Sequence, residues 1–210
     1  MTPKEKLNFL KAIPQDEQRS EAWFNKRKDK LTSSDAATAL GINPYQKPVE
    51  LLFKKYEDEA IDKYCKAMGK VNHDFGLIAY DEVEREVDPM YPNGIYWMAG
   101  STDGIAEDIR DKEDLIVLEV KCPFRRKIVY GKCPDYYYPQ VQLNMAILNI
   151  NKADFIEYKP ASYNSPMELN IVRIHRDPEW FKKNVPVMEA FWKEVEYWRT
   201  QDIKTHPEYS

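Results

Sequence analysis

A short apolar strand that carries two charges constrains this chain most. Residues 115–121 read Leu-Ile-Val-Leu-Glu-Val-Lys, and a polar stretch, residues 110–114, precedes them. An apolar run of this length after a polar turn predicts a buried strand that is entered from a hairpin. Side chains two apart on a strand share one face, so Glu119 and Lys121 project side by side. Charged groups inside a sheet are costly unless they are paired or bind a metal ion.

A second carboxylate favours a catalytic site over a simple ion pair at the strand end. Asp103 lies sixteen positions before Glu119, in the segment Ser-Thr-Asp-Gly that follows the strand-like residues 95–99. A strand, a turn and a return strand would bring Asp103 beside Glu119. Two carboxylates for a divalent cation and the amine of Lys121 would then meet. The pattern of Asp103, Glu119 and Lys121 resembles that of the PD-(D/E)xK nuclease superfamily.

Composition and length predict a globular chain. With 210 residues, of which 43% are hydrophobic and 13% aromatic, the chain can bury a substantial core, and we expect one domain over 1–210. No apolar run approaches the roughly 18 residues of a membrane span, and residues 1–6 lack the apolar core of a signal peptide. Cys65, Cys122 and Cys133 have no metal-like spacing, so we expect reduced intracellular thiols. The net charge of -4 argues against a protein that coats nucleic acid non-specifically, but not against a nuclease with a basic groove.

The polar segment that follows Lys30 has two interpretations. Thr32, Ser33 or Ser34 can cap a short helix over residues 35–40. The free amides of a helix start, two hydroxyl groups and the upstream Arg27 can also bind a phosphate. The capping interpretation is the better one for the segment considered alone.

A longer series of residues favours the phosphate-binding interpretation of this segment. It resembles the start of the YqaJ-type viral recombinases of the lambda exonuclease family, and it comprises Trp23, Arg27, the run Thr32-Ser33-Ser34-Asp35-Ala36-Ala37, Gly41 and Pro44-Tyr45. The resemblance implies that Arg27 and Ser34 hold the 5′-phosphate of a DNA end. It also implies that Ser101, two residues before Asp103, contributes to the phosphate site.

A histidine stands where this family usually has a metal-binding glutamate. We expect residues 70–86 to form a long amphipathic helix, and the family's glutamate lies four residues after the glycine that matches Gly69; here that position is His73. Imidazole suits Mn²⁺ better than Mg²⁺. The expected metal ligands of one or two Mg²⁺ or Mn²⁺ ions are His73, Asp103, Glu119 and the Val120 carbonyl. The alternative is a histidine on the surface of a helix.

Two more segments match the family. The run Glu-Val-Lys-Cys-Pro-Phe over residues 119–124 is similar to it, and Arg125, Arg126 and Lys127 follow. These basic residues form a solvated loop or, beside a catalytic strand, contact the DNA backbone.

The pattern Tyr-x-x-Gln-x-Gln over residues 137–142 lies in an expected helix, 135–151, whose first turn accepts Pro139. The resemblance implies that Gln140 lies at the active site, where it positions Lys121 or the attacking water.

The remaining elements complete an α/β fold. We expect helices over residues 4–12, 15–30, 49–59 and 60–68, two closing strands over 153–159 and 167–174, and a C-terminal helix over 178–202 that packs on the core or on another subunit. The resemblance implies a restriction-endonuclease-like fold with a central mixed sheet flanked by helices.

The function implied by the resemblance is a metal-dependent 5′→3′ exonuclease. Its substrate would be a double-stranded DNA end with a 5′-phosphate, and its product a 3′ single strand for an annealing protein. A homo-oligomer, in the form of a ring trimer, and an intracellular location in a bacterial host or in a compartment of viral replication are also implied. The alternatives are an endonuclease or flap nuclease of the same fold, and a non-catalytic DNA-binding remnant.

Overall fold

The computed structural model describes residues 1–16, 20–44, 54–110, 114–123, 126–162 and 164–205. In these ranges the α-helices are α1 (Pro3–Ala12), α2 (Glu21–Lys28), α3 (Ala36–Ala39), α4 (Lys54–Met68), α5 (Tyr138–Leu148) and α6 (Pro178–Arg199). The strands are β1 (Leu31–Thr32), β2 (Lys70–His73), β3 (Ile78–Ala79), β4 (Met98–Gly100), β5 (Gly104–Asp108), β6 (Leu115–Lys121), β7 (Lys152–Lys159) and β8 (Glu168–His175). Short 3₁₀ turns cover Ser33–Asp35, Tyr80–Glu82 and Ile203–Thr205.

The main sheet has five strands in the order β2-β5-β6-β7-β8. Only β6 and β7 pair in parallel, and the other neighbours are antiparallel. Helix α5 lies in the connection from β6 to β7, as a parallel pair requires a crossover. The expected α/β fold with a mixed central sheet and flanking helices is therefore confirmed.

A smaller sheet, in the order β1-β4-β3, holds the polar segment that follows Lys30. Strand β1 pairs in parallel with β4, with Thr32 opposite Ala99. Strand β3 pairs with β4 in the antiparallel sense. The residues that follow β1 and β4 therefore emerge on the same side of the molecule.

Strand β6 is buried on both faces, which explains its nearly continuous apolar sequence. Val117 belongs to the core formed with α1, α3, α5 and α6. Ile116 and Leu118 belong to a second core, in which Ala60 and Tyr64 of α4 cover the opposite face. The catalytic candidates at the end of this strand thus rest on a rigid central element.

The expected helix over residues 70–86 is wrong. Gly69 ends α4 with a positive φ of 64°, and the chain then continues as strand β2, which pairs with β5. Leu77 and Ile78 are consecutive buried residues rather than members of a helical stripe.

Several other boundaries differ from expectation. Helix α2 begins only after Ser20, whose Oγ accepts from the amide of Trp23 at 3.1 Å. Residues 54–59 and 60–68, which were expected in two separate helices, form the single helix α4, and residues 45–53 lie outside the described ranges. Helix α5 is shorter than the expected 135–151. The expected helix over residues 4–12, the two closing strands and the C-terminal helix are confirmed. Among the described helices, none combines the length and apolar character that crossing a membrane requires.

Candidate active site

The β5–β6 hairpin brings Asp103 beside Glu119, as the sequence predicts. Gly104 pairs with Leu118 in the antiparallel register. Asp103, which precedes Gly104, therefore lies beside Glu119, which follows Leu118. Oδ2 of Asp103 accepts from the amide of Val120 at 2.6 Å, and the amide of Asp103 donates to the Leu118 carbonyl at 3.2 Å. These two bonds fix the Asp103 carboxylate against the end of β6.

The Glu119 carboxylate is held at both oxygens. Its side chain is 1% exposed, whereas that of Lys121 is 23% exposed. Nζ of Lys121 donates to Oε1, and Nδ2 of Asn144 on α5 donates to Oε2 at 3.0 Å. Burial raises the pKa of Glu119 to about 7 against the opposing charge of Lys121. Burial lowers the pKa of Lys121, but the charges of Glu119 and Asp103 outweigh it and raise that pKa above its ordinary value.

A third carboxyl group, from Glu57 on α4, faces this pair and was not predicted from the sequence. Its side chain shares a hydrogen bond with Asp103, and burial together with the Asp103 charge raises the pKa of Glu57 to about 8. Glu57 lies one turn before Ala60, which α4 buries against the sheet. A carboxylate one turn before such a buried residue is a weak signal in the sequence, because α4 reaches the sheet only through long-range packing.

His73 lies elsewhere than expected. It is on strand β2 opposite Ile105, and its Nε2 lies 3.0 Å from Oε2 of Glu107. Among the described residues, no group of three or more His, Cys, Asp or Glu side chains is arranged to hold a metal ion. The strand that replaces the expected helix thus pairs His73 with Glu107, and its role as a metal ligand stays a prediction.

The residues that are assembled fit a hard divalent cation. Asp103 and Glu119 offer carboxylate oxygens, and the carbonyl of Val120 lies between Glu119 and Lys121 in the chain. Mg²⁺ is usually held by one or two carboxylates, by water and by substrate phosphates rather than by a complete protein cage. Two adjacent carboxylates without a third preformed ligand are consistent with that mode of binding.

Two of the three residues expected to bind the 5′-phosphate, Arg27 and Ser34, are in contact. Nη2 of Arg27 donates to Oγ1 of Thr32 at 3.1 Å and to Oγ of Ser34 at 3.4 Å. The guanidinium lies 4.4 Å from the ring centroid of Trp23. Ser34 and Ser101 each come two residues after a paired position of β1 and β4, Thr32 and Ala99 respectively, which places both serines past the same end of the small sheet.

The two glutamines of α5 have different surroundings. Nε2 of Gln142 donates to the His175 carbonyl at 2.9 Å, and its Oε1 accepts from the amide of Asp177 at 2.8 Å. Gln142 therefore joins α5 to the end of β8 and the start of α6. Gln140 is half-buried one turn before Asn144. Residues four apart share a helix face, so Gln140 lies on the side that contacts Glu119, but Asn144 makes the contact.

The basic loop after β6 is only partly described. Arg125 lies outside the described residues. Arg126 forms an ion pair with Glu157, whose side chain is 1% exposed, and its guanidinium lies 5.6 Å from the ring centroid of Tyr137. Lys127 is exposed. Arg126 is thus paired with a buried carboxylate and Lys127 is exposed, and the DNA backbone contacts expected of Arg125, Arg126 and Lys127 stay predictions.

Comparison with known proteins adds a family and a fold. The family model of the YqaJ-like viral recombinase domain matches residues 22–151, more than half of the chain. An uncharacterized protein of Acanthamoeba polyphaga mimivirus is 28% identical over 177 residues, which cover 76% of this chain and 32% of that protein. A protein of African swine fever virus is 28% identical over 171 residues, which cover 67% of this chain and 48% of that protein. The chain thus spans between about a third and a half of the length of these curated relatives.

A solved structure shares the fold. The crystal structure of an alkaline exonuclease from Laribacter hongkongensis superimposes with a TM-score of 0.62 at 22% identity, covering 85% of this chain and 93% of that one. The same exonuclease in complex with dAMP gives a TM-score of 0.63. At this identity the likeness shows the fold alone.

Proposed function

Because the chain belongs to the YqaJ-like viral recombinase domain family, we propose that it is a metal-dependent exonuclease that degrades one strand of linear double-stranded DNA in the 5′→3′ direction. Family membership supports a nuclease. The observation that carries the proposal is the convergence of Asp103, Glu119 and Lys121 at the end of β6. Two carboxylates and an ammonium group on one rigid edge suit the hydrolysis of a phosphodiester.

Each of the three residues has a role in this proposal. A Mg²⁺ or Mn²⁺ ion bound there would supply Lewis acidity to the scissile phosphate and lower the pKa of an attacking water. Asp103 and Glu119, with the Val120 carbonyl, would hold the ion. The ammonium group of Lys121 would orient the water and offset the negative charge that develops on the phosphate. Gln140, one turn from Asn144, would position Lys121 or that water.

In this proposal the enzyme starts at a 5′ end because Arg27 and Ser34 bind the 5′-phosphate there. Arg27 and Ser34 are already within hydrogen-bonding distance, and the planar guanidinium on Trp23 is suited to a phosphate. Ser101 would complete the pocket. The product would be a 3′ single strand, for which we propose an annealing protein as partner, and the enzyme would act inside a host cell, as a homo-oligomer.

The test is cleavage of a linear duplex that carries a label at either the 5′ or the 3′ end. With Mg²⁺ or Mn²⁺, we expect early release of the 5′-terminal nucleotides, retention of the 3′ label and no activity in EDTA. Closed circular DNA of the same sequence serves as the control and should remain intact. Nicking of the circle would instead support an endonuclease of the same fold, and binding without cleavage of any substrate would support a non-catalytic remnant.

A further inference from the structure

We propose that Asn144 is a positioning residue for Glu119: its amide fixes the orientation of that carboxylate and so tunes the affinity of the site for a divalent cation. The inference rests on the proposed function, since it assigns a role within the same site. It concerns a residue outside the Asp, Glu-x-Lys and Gln pattern that first indicated a nuclease.

The contact between the two side chains is a buried one. Asn144 is 1% exposed and Glu119 is fully buried, and Nδ2 lies 3.0 Å from Oε2. Because Lys121 occupies Oε1, the amide holds the second oxygen. A carboxylate that is bonded at both oxygens has its plane fixed, whereas a single ion pair leaves rotation about χ3 open.

Helix α5, which carries Asn144, is held in place by its own contacts, and these fix the position of the Asn144 amide. Pro139 lies in the first turn of α5. At the other end, Nη1 of Arg85 donates to the Ala146 carbonyl at 2.8 Å and Nη2 to the Ile147 carbonyl at 2.7 Å. These bonds hold carbonyl groups of the last turn of α5, of which that of Ala146 also accepts from the amide of Asn149. The Asn144 amide is therefore presented to Glu119 from a fixed support.

The glycine at position 100 leaves space for the side chain of Asn144. A Cβ atom on Gly100 would lie 2.6 Å from Oδ1 of Asn144 and 2.9 Å from Cδ1 of Ile147. Gly100 is not among the glycines with positive φ, so its backbone conformation does not require glycine. Space for the side chains of Asn144 and Ile147 does require it, so the Asn144 amide is closely packed on the side of β4 as well.

The neighbouring amide on the same helix has a purely structural role and provides a matched control. Gln142 is also 1% exposed, but it bonds the backbone of His175 and Asp177. Removing either amide leaves a buried group without a partner and should lower stability. Only the removal of Asn144 should alter the metal site.

The experiment compares Asn144→Leu, Asn144→Ser and Gln142→Leu with the wild type. Calorimetry without DNA gives the affinity for Mn²⁺, turnover of a linear duplex gives kcat and KM, and thermal unfolding reports the fold. Loss of a group that orients a metal ligand typically costs about 10- to 100-fold in metal affinity or activity. We expect that loss in Mn²⁺ affinity and in kcat for both Asn144 variants, with KM for DNA unchanged. We expect Gln142→Leu to unfold at a lower temperature but to bind Mn²⁺ as the wild type does.

Two results would overturn the inference while leaving the proposed function intact. One is wild-type Mn²⁺ affinity in a folded Asn144→Ser or Asn144→Leu variant. The other is an equal loss of affinity in Gln142→Leu, which would show that α5 matters only as a scaffold. A wild-type protein that binds no Mn²⁺ and cleaves no DNA would overturn the proposed function and the inference together.

Discussion

Lys121 is the residue whose removal tests the chemistry most directly. Its ammonium group forms an ion pair with Glu119, whose side chain is only 1% exposed. Lys121→Ala should reduce kcat by orders of magnitude, because single members of a catalytic unit contribute most of its effect, while DNA binding persists. Cleavage of a linear duplex in single-turnover experiments gives the rate, and binding of the same duplex in EDTA gives the affinity. Lys4→Ala, which removes an exposed lysine of α1, is the control and should cleave at the wild-type rate.

Arg27 tests the recognition of the DNA end. Arg27→Ala should remove the preference for a 5′-phosphate over a 5′-hydroxyl, because a lost charged hydrogen bond is worth roughly 1.5–3 kcal/mol. The ratio of kcat/KM values on the two substrates measures the preference. A wild-type enzyme that treats both ends alike would refute the pocket.

Substitution of His73 distinguishes a histidine that binds the metal ion from one that only pairs with Glu107. The sequence placed it in the metal site, and on that basis His73→Glu should raise activity with Mg²⁺ relative to Mn²⁺. The structure pairs it with Glu107, so His73→Glu should place like charges side by side between β2 and β5 and lower stability without changing the metal preference. Thermal unfolding and the ratio of Mg²⁺- to Mn²⁺-supported rates distinguish these outcomes, and Asp103→Asn, which should abolish both activities, is the positive control.

Between elements, the pair of Arg126 and Glu157 ties the loop after β6 to strand β7. Glu157 lies opposite Lys121 in the parallel register, and Nδ2 of Asn170 on β8 donates to its Oε2 at 3.1 Å. Arg126→Ala would leave a buried carboxylate without its cation. Such a loss costs roughly 3–5 kcal/mol for a fully buried pair, and less here because the Arg126 side chain is 24% exposed.

Adding Glu157→Gln to Arg126→Ala should recover part of that stability, since no buried charge then remains. Urea unfolding of the two single variants and the double variant measures the coupling between the residues. If Arg126→Ala proves as stable as the wild type but binds DNA more weakly, then Arg126 contacts the DNA backbone, as the sequence first suggested.

At the scale of the whole molecule, metal binding should raise the temperature at which the protein unfolds. The carboxylates of Asp103 and Glu119 lie side by side at the end of β6. An ion bound only by the folded state stabilises that state by about 2.7 kcal/mol at one hundred times its dissociation constant. We expect the unfolding temperature to rise with Mn²⁺ and to return in EDTA. The Asp103→Asn variant should show no such rise, whereas an equal rise in that variant would place the ion elsewhere.

The sequence alone predicted those parts of the protein that depend on local patterns. The apolar run with two charges predicted β6, and the sixteen-residue spacing predicted that a hairpin would join Asp103 to Glu119. Both follow because side-chain alternation and antiparallel return are local consequences of strand geometry. The family and the mixed α/β fold were predicted in the same way, from motifs that stand in order along the chain.

Only the folded structure shows which other side chains contact the carboxylates of this site. Glu57 and Asn144 reach Asp103 and Glu119 from two helices on opposite faces of the sheet, and neither lies near those carboxylates in the sequence. The helix expected over 70–86 failed for a related reason: pairing with β5 extended the chain after Gly69 and directed His73 to Glu107. Local propensity cannot include a hydrogen-bonding partner that only long-range packing supplies, so the folded structure decided which carboxylates and amides surround the site.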